Sequence, residues 1–328
     1  MFSDIYFRIL FELIKNEPTL TLPPSSKLDE LGQSENGSLK KFTFLIDHVY
    51  GQNENSNVGL SFGKHMTAVN SCDFTRLLST CSTAKEGLDR LTQYCPILGL
   101  RPFPSIYQSK KTISLSLAYP YKEEHSYGTQ RFCAEMFFCF YINSVREIFD
   151  KNINPISVHF DFSKPDYHSE YEAFFKCPIY YNSPLAIIKC DNSFTQVPMP
   201  TSNLVVNNVY KEKADDIWLD IKRNRSMRYR SITQMMQKNQ SAMNAELLAE
   251  SLNISKRGLQ KRLKSEGCSF SEIQNLVRRE LTKIYLVQRN MDLNDVKQRL
   301  GFQTQSTFRK FFLQNFSCTP NEYINSLS

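Results

Sequence analysis

Lys256, Arg257, Gln260, Lys261 and Lys264 recur at helical spacing around two apolar residues, Leu259 and Leu263. That set has the chemistry for reading a duplex. Arg and Lys donate to the O6 and N7 of guanine, and Gln bonds adenine in a bidentate manner. Lysines at the edge of such a face meet phosphates, which adds affinity without sequence choice. A second set follows about fifty residues later: Gln305, Ser306, Thr307, Arg309 and Lys310 around Phe308, Phe311 and Phe312, with Gln303 just before them. The plain alternative for both sets is a solvated helical face, and residue types alone do not separate the two readings.

Each polar face needs a short helix and a tight turn to present it. From Asn244 to Gly267, Leu247, Leu248, Ala249 and Leu252 supply the buried side of a leading helix, and Ser255 is placed to cap the next one. Gly267 then ends that second helix in the left-handed C′ manner. From Leu293 to Phe316 the design repeats: Val296 and Leu300 face inward, Gly301 makes the turn and Phe302 seals it. Two helix-turn-helix patterns in tandem, each with a polar second helix, suit the major groove of DNA.

Between them, Ser269 and Glu272 form a capping box that opens a helix carrying Ile273, Leu276, Val277, Leu281 and Ile284. Roughly 20 residues at about 1.5 Å each predict a rod of about 30 Å. Successive major-groove faces on one side of B-DNA lie about 34 Å apart. A strut of that length sets the two polar helices in phase. Thr319, Pro320 and Glu322 match a further capping box with Pro at N1, the start of a closing helix.

The stretches LLAESLNISKRGLQKRLKSEGCSF and DVKQRLGFQTQSTFRKFF, the latter followed by TPNEYI, resemble the AraC/XylS family of bacterial transcription regulators. The resemblance implies that Arg257, Gln260 and Lys261 contact bases in one groove and Gln305, Ser306, Thr307 and Lys310 in the next. Two positions depart from the family pattern: Lys297 stands where a small Ala is usual, and Ser317 where Gly is common. The front of the chain resembles the family's arabinose-binding-type N-terminal domain more loosely, through Asn57–Gly63, Ala84–Tyr94, Val158–Phe175 and Leu185–Asn203. Such domains sense or dimerise, and the resemblance leaves the ligand open.

Charge supports the division. The chain has 328 residues and a formal net charge of +7, yet from Lys211 onward 21 Lys and Arg stand against 12 Asp and Glu, while the rest carries 19 against 21. A basic third on a slightly acidic body is the footprint of a nucleic-acid module joined to something else. Two domains are expected, a regulatory one over 1–210 and a DNA-binding one over 211–328. The nine cysteines include no CxxC pair, so neither a disulfide framework nor a zinc site is expected, and most should be small buried hydrophobes. Asp4, Arg8 and Glu12 interrupt any signal-peptide core; Phe2, Ile5, Tyr6, Ile9, Leu10, Leu13 and Ile14 instead recur as a helical stripe that packs on the domain core or, as the lesser reading, on a second copy. No apolar run reaches the roughly 20 residues that spanning a bilayer requires.

The front half reads as α+β. Helical patterns near Leu39–Tyr50, Thr75–Ser79 and Ala84–Cys95 follow the turn-rich Pro18–Ser26 and the polar Gln33–Ser38. Strands are expected at Thr112–Ala118, Ser157–Phe162 and Ala186–Cys190, a buried helix over Phe132–Phe149 and a short one over Glu170–Phe175. Phe132, Phe137, Phe138, Phe140 and Tyr141 are most simply core, with an apolar effector cavity as the second reading. No HExxH, GxSxG or Walker loop is present; Gly59 to Lys64 is one residue short of the last and lacks its Ser or Thr. His48, His65, His125, His159 and His168 have no metal-ligand spacing, His159 reads as structural, and Glu123–Glu124 and Asp215–Asp216 read as solvated surface. The expectation is a cytoplasmic, non-enzymatic reader of double-stranded DNA at a bipartite operator, with an all-α C-terminal domain and no cofactor. RNA polymerase, a small-molecule effector and a second copy of the chain are its further candidate partners, and a membrane is not. The competing classes are a helical protein-interaction module without DNA binding and an enzyme fused to a DNA-binding tail.

Overall fold

The computed structural model describes residues 4–33, 37–66, 72–98, 102–120, 126–149, 152–238 and 242–327. Phe2, the side chain of Ile5, the middle of the polar stretch after Gln33, Glu123–Glu124 and His125 lie outside the described residues. The chain divides into two compact units, Met1–Trp218 and Leu219–Ser328. The division falls inside the helix α9, Leu204–Asn224, which also contains Lys211.

The first unit is built on a group of helices in which α1 (Asp4–Lys15), α3 (Gly37–Gln52) and α4 (Val58–His65) pack together and against the long α7 (Tyr127–Ile148). Of the N-terminal stripe, Tyr6, Leu10 and Ile14 are buried at 1% exposure or less, while Ile9 and Leu13 are half-buried at its edge. The glycine-rich Gly59–Gly63 segment is not a phosphate loop; it is α4 itself. A Cβ at Gly59 would lie 3.0 Å from Phe132 Cα, and one at Gly63 would lie 3.0 Å from Met136 Cα. Two glycines one helical turn apart thus let the backbones of α4 and α7 touch. Asn143 of α7 donates to the carbonyls of Gly63, Lys64 and Met66 at 2.9–3.4 Å, satisfying the orphan end of α4.

Beside that crossing lies a fully enclosed carboxylate. Glu135 accepts from Arg131 Nε at 3.3 Å, from the Tyr167 hydroxyl at 2.6 Å, from the Tyr50 hydroxyl at 3.3 Å and from the Tyr171 hydroxyl. Arg131 also donates to the Glu54 carbonyl at 2.7 Å and lies over the Phe162 ring. Burial pushes the Glu135 carboxyl up, and the arginine and phenols oppose that rise. A buried ion that is paired and hydrogen-bonded on every side costs little only while the whole set is intact.

A five-stranded sheet stands against this group, in the order β1 (Phe103–Gln108), β2 (Thr112–Ala118), β5 (Ala186–Asp191), β3 (Ser157–His159) and β4 (Ile179–Tyr180). Neighbours are antiparallel except β3 and β4, which are parallel. The third strand is shorter than its alternation predicts. Phe160 N still donates to the Tyr180 carbonyl at 2.8 Å, but Phe160 and Phe162 stack on each other and flank Tyr181. α5 (Asp73–Ser79) packs on α6 (Ala84–Tyr94), which also packs on β1; α8 (His168–Phe175) follows β3, and α2 (Ser25–Gly32) opens directly after Pro24 and packs on α3. All nine cysteines are free thiols, and five of them, 81, 95, 133, 139 and 190, are buried.

The second unit is helical throughout its described residues: α10 (Met227–Gln237), α11 (Ala245–Ser251), α12 (Lys256–Ser265), α13 (Phe270–Lys283), α14 (Leu293–Arg299), α15 (Gln305–Phe316) and α16 (Pro320–Asn325). Its core is Leu248, Leu259, Leu263, Ile273, Val277, Leu281, Val296, Leu300, Phe308 and Phe312, each at 1% exposure or less. Leu247, expected inside, is 52% exposed, because α11 turns Leu248 and Ala249 inward instead.

Candidate nucleic-acid interface

Local chemistry fixes both helix pairs. Asn244 accepts from Leu247 N at 2.9 Å to start α11, Asn253 takes the left-handed turn at φ 54°, and Ser255 accepts from Gly258 N at 3.1 Å to start α12. Asn is among the few residues that adopt that conformation at low cost. In the second pair, Asp292 accepts from Asn294 N and Asp295 N, and Thr304 accepts from Thr307 N at 3.2 Å. The turn residue is Gly301 at φ 76°, where a Cβ would also lie 2.8 Å from that of Ala242. Both strain and space demand glycine there.

The polar faces point outward. Lys256, Arg257, Gln260, Lys261 and Lys264 on α12 are all exposed, as are Gln305, Ser306, Thr307, Arg309 and Lys310 on α15. They are not equally free. Lys256 Nζ lies 2.8 Å from Glu246 Oε1, which holds the Glu246 carboxyl below its ordinary range. An exposed pair of this kind is weak and exchangeable. The Thr304 hydroxyl lies 3.1 Å from that of Ser306 and 3.0 Å from that of Thr307, and Thr307 also donates to the Thr304 carbonyl. Those two hydroxyls therefore serve the cap and keep lone pairs for a ligand, whereas Gln305, Arg309 and Lys310 extend from the helix.

Two exposed side chains were not anticipated. Arg262 adds a cation on the flank of α12. Leu313 is 48% exposed, one turn beyond Arg309 and Lys310 on the outer face of α15. A large apolar group there suits a thymine methyl; its only sequence signal is an apolar residue out of phase with Phe308, Phe311 and Phe312. Ser317, the position where glycine is common, takes the left-handed conformation at φ 57°.

The strut between the pairs runs over residues 270–288, close to the roughly 20 expected, but it is not α-helical throughout. Its α-helical part is 14 residues, α13, or about 21 Å at 1.5 Å per residue. A π turn, Ile284–Gln288, completes it, with Arg289 N donating to the Ile284 carbonyl at 3.0 Å. From α13, Arg278 reaches the second pair. Its Nε donates to the Leu300 carbonyl at 2.8 Å, and its guanidinium lies 4.3 Å from the Phe302 ring centroid. Glu266, just past α12, accepts from Met227 N and Arg228 N at 2.7 and 2.8 Å and so caps α10. Enclosed Glu280 contacts Arg279 at 3.2 Å and Lys283 at 3.1 Å. Burial pushes its carboxyl up, but the two cations outweigh that and hold it below the ordinary range.

Among the described residues no group of three or more His, Cys, Asp or Glu side chains is placed to hold a metal ion, and no helix is long and apolar enough to cross a membrane. The family model for the arabinose-binding domain of AraC transcription regulators, N-terminal, matches residues 33–199, and a helix-turn-helix domain model matches residues 248–326. The chain is 26% identical over 78 residues to the transcriptional activator AggR of Escherichia coli, covering 24% of this chain and 29% of that protein. It is 21% identical over 173 residues to the ornithine utilization regulator of Pseudomonas aeruginosa, covering 52% and 50%. The chain thus spans half or less of the length of these curated relatives. The crystal structure of the transcriptional regulator CdpR from Pseudomonas aeruginosa aligns over 98% of both chains at 18% identity with a TM-score of 0.48. With its first half matched by the N-terminal model and its last quarter by the helix-turn-helix model, the chain belongs to the AraC/XylS family of transcription regulators.

Proposed function

We propose that the protein is a sequence-specific, non-enzymatic DNA-binding transcription regulator, in which α12 and α15 read two adjacent major grooves and the N-terminal unit exerts control. The observation that carries the reading is the pair of capped, outward-facing polar helices within one helical unit. Arg257, Gln260 and Lys261 are assigned to bases in one groove; Gln305, Arg309, Lys310 and the capping hydroxyls of Ser306 and Thr307 serve the other. Lys256 and Lys264 are assigned to phosphates, Lys256 after exchanging Glu246. Activation is the favoured direction, since AggR and CsvR of Escherichia coli are both named as activators. The match to an arabinose-binding model supports a small-molecule effector, and work on DNA places the protein in the cytoplasm. A protein-interaction module without DNA binding is not favoured, because the helix-turn-helix match covers the same residues that carry the polar faces.

The test is a gel-shift titration of the full chain against duplexes selected from a random pool, with scrambled duplexes alongside, over a salt series. Affinity should fall steeply with salt as phosphate contacts release counterions. Gln260→Ala and Lys261→Ala should each lose about 1–3 kcal/mol of discrimination, while Lys264→Ala weakens selected and scrambled DNA alike. Equal losses on both duplexes at all three positions would overturn the assignment, and no shift even at low salt would overturn the function.

A further inference from the structure

The first unit contains a cavity of about 70 Å³ between α6 and α7. Leu88 and Leu91 of α6, Phe140, Tyr141 and Val145 of α7, and Met199 form much of its wall, and Leu78 and Ser79 close one end. Its lining offers almost nothing polar. The Ser144 hydroxyl is turned back to the Phe140 carbonyl at 2.7 Å, and the Ser79 hydroxyl donates to the Arg76 carbonyl at 3.3 Å. A sugar in this space would lose its hydrogen bonds to water with no replacement, at a cost for every hydroxyl. An apolar lining of this kind favours xenon or a small hydrocarbon, which give up no hydrogen bonds to water on entering.

The same wall is clamped to the start of α9. The side-chain amide of Asn207, 4% exposed, donates to the Leu77 carbonyl at 2.9 Å and to the Thr80 hydroxyl at 3.0 Å. Asn203 N donates to the Thr80 carbonyl at 3.1 Å, and the Thr201 hydroxyl donates to the Ser79 carbonyl at 2.6 Å. Met199, itself in the cavity wall, donates through its N–H to the Ser82 carbonyl at 2.9 Å. The end of α5 is therefore both a wall of the cavity and the anchor of a helix whose residues continue into the second unit.

From these two observations we infer that the cavity is the effector site, that its ligand is a small apolar molecule rather than a sugar, and that occupancy acts on α9 through the Leu77–Ser82 anchor. The inference rests on the regulator reading for its purpose, but not for its test. A ligand that fits only one arrangement of Leu78, Ser79 and Met199 has the differential affinity that shifts a conformational equilibrium.

The experiment uses the full chain without DNA. Xenon and n-butanol are titrated as apolar probes and arabinose as a polar one, with binding followed by NMR and exchange of the backbone amides of residues 204–210 followed by mass spectrometry. The apolar probes should bind and change protection in that stretch; arabinose should not bind there. Ser144→Leu and Ala84→Leu project alkyl groups into the cavity and should weaken the probes by about tenfold or more in Kd. Ser144→Leu gives up only a bond within its own helix, so a folded variant is expected. Asn207→Ala should keep probe binding and lose the change in exchange. Failure of both apolar probes to bind, undiminished binding in the folded Ser144→Leu chain, or arabinose competing with xenon would overturn the site. Binding with no change at 204–210 would overturn the coupling. A chain that binds the probes but no DNA would support the cavity and overturn the regulator reading instead.

Discussion

Replacing Gly63 by Ala adds one methyl at the closest approach of α4 and α7. The new Cβ would lie 2.7 Å from Cys139 Cβ, 3.0 Å from Met136 Cα and 3.1 Å from the Met136 carbonyl oxygen. Carbon atoms prefer about 3.5–4.0 Å, and two of these neighbours are backbone, so the helices must separate by several tenths of an ångström. Overpacking of this kind costs about 1–3 kcal/mol, and the better helix propensity of Ala returns up to about 1 kcal/mol. A net loss of about 1–2 kcal/mol results. Gly51, in the last turn of α3, is the control: a Cβ there meets nothing within 4 Å. Gly51→Ala should stabilise by about 0.5 kcal/mol. For a unit of this size each kcal/mol moves the midpoint by about 2–4 °C. Scanning calorimetry of the full chain should show the first unit's transition lowered by about 2–8 °C in Gly63→Ala and raised by about 1–2 °C in Gly51→Ala. Shifts of the same sign in both variants would refute the close-contact argument.

Three further outcomes are expected. Arg278→Ala removes a charged hydrogen bond to the Leu300 carbonyl and the cation over Phe302, and should cost about 2 kcal/mol; exchange should rise first at residues 293–302, and a uniform rise across the second unit would count against a local clamp. Glu280 is held below the ordinary glutamate pKa of about 4.3, so its stabilising share is present above that value and disappears as pH falls through the folded one. Melting at neutral pH and near pH 3.5 should therefore show a smaller acid loss in Glu280→Gln than in the parent chain, and an equal loss would refute the ion-pair account. Ser317→Gly relieves a left-handed serine worth about 1–2 kcal/mol against a glycine entropy cost of about 0.5–1 kcal/mol; a small rise in the second unit's midpoint is expected, and a fall would show that the serine side chain does more than tolerate the turn.

Features legible in the sequence share one property: their signals are local. The caps at Ser255, Ser269 and Thr319, the turn at Gly301 and the alternation of Thr112–Ala118 depend on neighbours within a few residues. Those that escaped depend on distant partners. Gly59 and Gly63 look like a loop until α7 lies against them. Pro104 masks β1, which is tolerated because that strand is at the sheet's edge and pairs only with β2. Helical periodicity placed Leu247 inside without knowing which way α11 would roll. All ten polar residues assigned to DNA emerged on the surface, yet no periodicity could show that Lys256 is held by Glu246 or that Ser306 and Thr307 share the cap.

The π turn at Ile284–Gln288 has a further effect on the C-terminal unit. In an α-helix each residue advances about 100° around the axis, so the single residue accommodated by the wider turn rotates all that follows by a similar amount. The angular offset between the two polar helices thus depends on one inserted position rather than on the strut's length alone. Deleting a residue there would leave both helices intact and chemically unchanged, yet turn the second out of the direction that the first one faces.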